Sequence, residues 1–204
     1  MLKKLASDAL GLSDIGMVIP KSDFDKTESD DFVMHESGEV IYLLIKTKAD
    51  EYCFTNQALI HVDGQNAISK KRLLRRYDYA YFPITDVALE TAGTIDLDVE
   101  IKFTIGNTPL SIDIHKKFAT EIKDLYKVIH AMSIEMKENT KKYEIAQNSL
   151  NYAAQSIGKI ESREVTPASS FEAITRFAKD WMIDQKDKYN KKDFTDLFEL
   201  YINQ

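Results

Sequence analysis

The chain has a single cysteine, Cys53, in 204 residues. An intramolecular disulfide is therefore excluded, which fits a reducing compartment. No uninterrupted apolar run approaches the roughly 18–20 residues that a membrane-spanning helix needs. Positive charge is not in excess: the formal net charge is −6. That argues against wholesale nucleic-acid binding, which needs a basic face to displace counterions. No P-loop, dinucleotide fingerprint or G-x-S-x-G nucleophile elbow occurs. His35, His61, His115 and His130 are not spaced with another His, Cys or acid as metal ligands on a helix would be. Neither a metal nor a cofactor is expected, no residue is assigned a catalytic role, and an enzyme is the least supported class. No repeat with a period of 20–50 residues and no low-complexity tract is visible.

What is present is ordinary for a soluble globular protein: 44% apolar and 29% charged residues. Residues 1–12 carry Leu2, Leu5, Ala6, Ala9 and Leu10 on one helical stripe. A short helix packed on the main domain is expected there, in preference to a membrane-surface helix. Asp8 and Gly11 interrupt the apolar residues and no small-residue cleavage site follows, so a signal peptide is not expected and the expected location is cytoplasmic. Residues 21–31 read as a polar linker or loose helical turn around Phe24.

The most regular stretch is 95–132. Ile95, Leu97, Val99, Ile101, Phe103 and Ile105 alternate with polar residues, the period of a strand with one wet and one buried face. Residues 106–109 form a turn, and Leu110, Ile112 and Ile114 resume the alternation, which predicts a β-hairpin. After His115, expected to cap or order the junction, the period changes. Phe118, Ile122, Leu125, Tyr126, Ile129, Met132 and Met136 lie on one face of a helix. Upstream, the continuous run 40–45 suits a strand buried on both sides. Residues 52–55 and 59–62 add two short strands, 70–82 a fourth and 86–92 a fifth. Seven antiparallel strands followed by an amphipathic helix predict a closed barrel with a helical plug. Beyond Met136 a charged stretch, 137–143, separates that helix from a second. Ser169 and Glu172 form a capping box for a third, and a last helix carries Phe194, Leu197, Phe198 and Tyr201.

This strand and helix order resembles the bacterial pleckstrin-homology (PH) family. The resemblance rests on Gly38-Glu39-Val40 opening the first strand, Leu73 to Tyr81 in the fourth, Val87-Ala88-Leu89-Glu90-Thr91-Ala92-Gly93 in the fifth, and the hairpin from Ile95 to Ile114. The tail from about residue 140 resembles the helical extension of one branch of that family. The expected class is α+β: a PH-like seven-stranded antiparallel barrel with its capping helix over residues 1–136, and a helical extension over 137–204. The resemblance implies a non-enzymatic interaction module assembled into a ring or larger homo-oligomer.

Two sets of site residues follow. Lys70, Lys71, Arg72, Arg75 and Arg76 form a basic run that could take an anionic ligand or membrane surface, against the bland reading of a charged strand edge balanced by nearby acids. PH domains that hold inositol phosphates place basic residues in the first two strands and their loop. Here Lys46 and Lys48 are answered at once by Asp50 and Glu51, so phosphoinositide binding is not expected. The second set is Phe171, Phe177, Trp181, Phe194, Phe198 and Tyr201, too many aromatics for a small helical appendage to bury by itself. They pack either on their own barrel or, as the resemblance favours, on another subunit. A homo-oligomer, with room for another protein partner, is the expected partnership. Cys53 reads as a buried core residue.

Overall fold

A computed structural model describes residues 15–64, 72–91, 98–157 and 167–202. The expected helix within residues 1–12, and Ile95 and Leu97 of the long strand, lie outside the described residues. The strands are β1 (Met17–Val18), β2 (Ile41–Lys46), β3 (Glu51–Thr55), β4 (Ala58–Asp63), β5 (Leu73–Asp78), β6 (Ile84–Glu90), β7 (Asp98–Ile105) and β8 (Thr108–His115). The helices are α1 (Ala119–Ile157), α2 (Pro167–Tyr189) and α3 (Thr195–Tyr201). The strands form two antiparallel sheets, ordered β1-β2-β3-β4-β5 and β6-β7-β8.

The β7–β8 hairpin follows the alternation closely. Val99, Ile101, Phe103 and Ile105 are buried and the residues between them are half-exposed. Gly106 has φ +59° at the turn, a conformation that favours glycine. Phe103 meets Phe54 of the other sheet with ring centres 6.3 Å apart, so the core lies between the sheets. Ile122, Leu125, Val128, Ile129 and Met132 of α1 are at most 1% exposed. Each such side chain is worth roughly 1.5–3 kcal/mol of burial, which makes the start of α1 the barrel's plug. His115 orders the junction as expected, its Nδ1 accepting from the Lys117 N–H at 3.1 Å.

Two features depart from the seven-strand expectation. The first is the extra strand β1. Met17 and Val18 pair with Lys46 and Ile45, while the preceding Gly16 bridges to Ile114 of the other sheet. Gly16 N–H donates to Asp113 O at 2.7 Å and Gly16 O accepts from His115 N–H at 2.9 Å. A Cβ on Gly16 would lie 2.7 Å from Ile45 Cγ2 and 3.0 Å from Asp113 O, so only glycine lets the chain stitch the two sheets together here. The second is the segment before β2. It forms three 3-10 turns, Lys21–Lys26, Ser29–Phe32 and His35–Ser37. Val33 packs with Ile41, Leu44, Cys53 and Ile60, and Ile19 and Phe24 flank that cluster. This cover explains why β2 is apolar without alternation.

The helical region also differs from expectation. Residues 137–143 do not break the helix: α1 runs unbroken from Ala119 to Ile157. Lys and Glu are good helix formers, and Lys142 lies 3.7 Å from Glu138 one turn away. Helix α2 starts at Pro167, ahead of the expected cap at Ser169. The chain divides into two compact units, one of residues 1–133 with 192–204 and one of 134–191. The expectation placed a single cut at 136/137; in this division the described residues from 192 to 202 group with the barrel. Within the second unit, Lys191 pairs with Glu135 at 3.0 Å. Among the described residues no helix is long and apolar enough to cross a membrane.

Candidate functional site

The basic run does not assemble into a patch in the part that is described. Lys70 and Lys71 lie outside the described residues. Arg72 Nε is 3.3 Å from Glu28 Oε2, and Arg72 Nη1 donates to Ala49 O at 3.0 Å. Strand β5 sends Arg75 and Arg76 to opposite faces. Arg75 Nη1 pairs with Asp63 Oδ2 at 2.9 Å. Arg76 Nε and Nη1 reach Asp78 Oδ1 at 2.7 Å and Glu39 Oε2 at 3.0 Å. Each described arginine of the run already has a carboxylate, which offsets its charge. Lys46, in the first strand-loop region, is likewise ion-paired with Glu51.

Beneath these pairs lie two buried carboxylates. Glu39 accepts from Met34 N–H at 2.8 Å, Thr55 Oγ1 at 2.5 Å and Arg76. Glu51 accepts from Ser29 N–H at 2.8 Å and from Lys46. Burial alone would raise the Glu51 carboxyl, but Lys46 and the Ser29 amide outweigh it and hold it below its ordinary value. Such satisfied acids pin the covering segment onto the sheet. Cys53 is fully buried among them and its thiol is pushed up by burial, as a structural cysteine is. Among the described residues no three His, Cys, Asp or Glu side chains gather as a metal site.

Among the described residues His61 is the exception to satisfied burial. It stacks on Tyr52 with ring centres 4.4 Å apart, and neither ring nitrogen has a hydrogen-bond partner. Its Nε2 lies 3.7 Å from Asp50 Oδ1, too far for a hydrogen bond. Burial lowers its proton affinity, and Asp50 and Asp63 offset this only in part. A histidine held neutral by the fold binds its proton more readily once unfolded. Stability is therefore expected to fall as pH drops below about 6.5, the ordinary histidine value. Thermal melts of wild type and His61→Phe from pH 7.5 to 5 check this: the wild type should lose more over that window, and parallel losses would count against it.

The aromatic set splits in two. Phe194 and Phe198 are 1% and 0% exposed, in the barrel unit. Phe198 stacks on Tyr42 at 4.8 Å between ring centres and Phe194 meets Tyr79 edge-on at 5.8 Å. Asn56, at the β3–β4 turn, holds this strap. Its side-chain amide donates to Asp193 Oδ2 at 2.7 Å and Thr195 Oγ1 at 3.1 Å, and its carbonyl accepts from Phe194 N–H at 2.9 Å. Its Oδ1 accepts from Val40 N–H at 2.8 Å. Tyr42 donates to Glu199 Oε1 at 2.6 Å, and burial together with that bond pushes its hydroxyl up to about 12. The Phe194 and Phe198 side chains are therefore core of the barrel unit. Tyr201 and Trp181 are half-buried, each in its own unit. Phe171 and Phe177 of α2 are 75% and 66% exposed. Ile145 of α1 and Ile174 of α2, absent from the expected set, are also exposed.

Residues 9–133 match the family model described as bacterial PH domain. The chain belongs to the bacterial PH domain family. A second model, described as the YvbH-like oligomerisation region, matches residues 144–204. The chain is 50% identical over 203 residues to the uncharacterized protein YvbH of Bacillus subtilis (strain 168), covering 100% of both. It is 34% identical over 97 residues to the uncharacterized protein YjqA of the same organism, covering 47% of this chain and 75% of that protein. The crystal structure of a PH domain-containing protein from Exiguobacterium sibiricum 255-15 superposes with a TM-score of 0.86 at 47% identity, covering 93% of this chain and 100% of that one. The PH-like fold with a helical extension is thus shared with a solved relative. The second matched region straddles both units, since the described residues from 192 to 202 group with the barrel of this bacterial PH domain protein.

Proposed function

We propose that the chain is a non-catalytic interaction module whose PH-like barrel self-assembles, through its helical region, into a higher-order homo-oligomer, ring-like in form as the resemblance implies. One observation carries the reading. In a region matched to an oligomerisation model, α2 leaves Phe171, Ile174 and Phe177 exposed. An amphipathic helix of a finished domain buries its apolar stripe, and clustered exposed aromatics mark contact surfaces. Light scattering on the full chain tests it. Assembly is expected at micromolar concentration, and the Phe171→Glu/Phe177→Glu double variant should weaken it at least about tenfold. A strictly monomeric wild type would remove the reading. Anionic-surface binding through residues 70–76 has weaker support, because its described arginines are already paired. Co-sedimentation with anionic vesicles should accordingly show no salt-sensitive binding.

A further inference from the structure

The helical unit changes character along its length. Residues 137–144 of α1 include Lys137, Glu138, Lys141, Lys142 and Glu144. The next charged residue is Lys159: residues 145–158 carry none, in a chain that is 29% charged. Burial does not explain this absence. Asn148, Ser149, Asn151, Tyr152, Ala153, Ala154 and Gln155 are all exposed, and Ile145 and Tyr152 are 65% and 69% exposed. The first described side chains of α2 behave alike. Residues 171–177 of α2 are all exposed, and their one acid and one base, Glu172 and Arg176, neutralise each other at 2.7 Å. Elsewhere in this unit Tyr143, Ala146 and Leu150 of α1 and Ala178, Trp181 and Tyr189 of α2 are buried or half-buried.

A solvated helix in this protein carries charge, as residues 137–144 do. An exposed helix end with apolar, aromatic, amide and small side chains and no net charge has the composition of an interface centre, where charged residues are depleted. The same fact selects the occupant. Two copies of a chain with net charge −6 repel, so the surface on which they meet must itself be free of like charge. An identical neutral surface meets that condition automatically, whereas a partner of opposite charge would call for a charged patch on this one. We propose that the assembly contact is made by residues 145–155 of α1 together with 171–177 of α2, against the same segments of a second copy of this chain. This rests on the self-assembly reading above and places the contact on the charge-depleted segments of the helical unit.

The test uses full-length protein with Asn148→Glu and, separately, Asn148→Lys. Asn148 lies one turn from both Ile145 and Tyr152 on the outer stripe, and either replacement is a better helix former than asparagine. Thr140→Glu, in the charged half of α1, is the matched control. Concentration series by light scattering should show wild type and Thr140→Glu assembling alike. Both Asn148 variants should have an apparent dissociation constant raised about 100-fold, as expected for like charges forced together in a desolvated contact. A monomeric wild type overturns the self-assembly reading and this proposal together. An assembled wild type with equally assembled Asn148 variants overturns this proposal alone. Hydrogen exchange on the wild type gives a readout without substitution: amides of 145–155 should gain protection as protein concentration rises, and protection independent of concentration refutes the contact.

Discussion

Phe198→Ala is expected to remove about 3–5 kcal/mol from the stability of the barrel unit, the usual cost of truncating a fully buried phenylalanine. The residue lies within the matched oligomerisation region, yet its side chain has no exposed surface and stacks on Tyr42 of β2. Truncation leaves a cavity against that ring and loosens α3, whose other anchors are Phe194, the Asn56 hydrogen bonds and the Tyr42–Glu199 bond. The single tryptophan, Trp181, sits in the helical unit, while Tyr42, Tyr52, Tyr77 and Tyr79 are buried in the barrel. Near-UV dichroism of the tyrosines therefore reports mainly the barrel unit, which holds seven of the ten, and tryptophan emission the helical unit. In denaturant, at one fixed protein concentration so that assembly does not shift the midpoint, the tyrosine transition of Phe198→Ala should move markedly. Phe177→Ala should leave it within about 0.5 kcal/mol of wild type, as surface substitutions do. A loss below about 1 kcal/mol for Phe198→Ala would show that the strap does not hold the barrel.

The difference between Phe198 and Phe177 marks where sequence reading stops. Both lie at helical spacing among apolar neighbours, and nothing local separates them. What separates them is Asn56, 137 residues upstream of Asp193, whose amide selects the strap by hydrogen bonds that no periodicity encodes. Other parts were legible because one face meets water and the other the core. The alternation in β7 and the stripe from Ile122 to Met132 are of that kind, and they define the hairpin and the plug. Strand β1 was not legible, since two residues cannot display a period, although Gly16 amid apolar neighbours was a signal of close backbone approach. The unbroken α1 was misread because residues 137–143 lose the apolar stripe, while Lys and Glu sustain a helix without one. The basic run was visible, but its neutralisation depends on Glu28, Glu39, Asp63 and Asp78, three of which come from elements other than β5. The uncharged stretch 145–158 was visible in the sequence throughout, yet only the exposure of Ile145, Asn148, Ser149 and residues 151–155 turns a lack of charge into an argument about contact.

Arg76 supplies the second large effect. Its side chain is 17% exposed and that of Glu39 is fully buried, so the pair sits largely out of water. Arg76→Met keeps the stem's packing and removes the charge, leaving Glu39 with the Met34 amide and the Thr55 hydroxyl as its remaining donors. Breaking a buried pair from one side costs about 3–5 kcal/mol, most of it the stranded charge; the two surviving hydrogen bonds place this case near the lower end. Glu39→Gln removes the negative charge and keeps one carbonyl oxygen for the Met34 amide, while its NH2 can donate to the Thr55 hydroxyl oxygen, whose proton then goes to Ala58 O. If the stranded carboxylate is the cost, adding Glu39→Gln to Arg76→Met should recover stability, with a coupling of about 2 kcal/mol in the double-mutant cycle. Urea unfolding of the four proteins measures it. Additive losses would mean that Arg76 acts through Asp78 or through its stem, and that Glu39 is held by its backbone and hydroxyl donors alone. Coupling would also bear on ligand binding. An arginine whose removal strands a buried acid is committed to the fold, and an anion could recruit it only by exposing Glu39 to the same penalty.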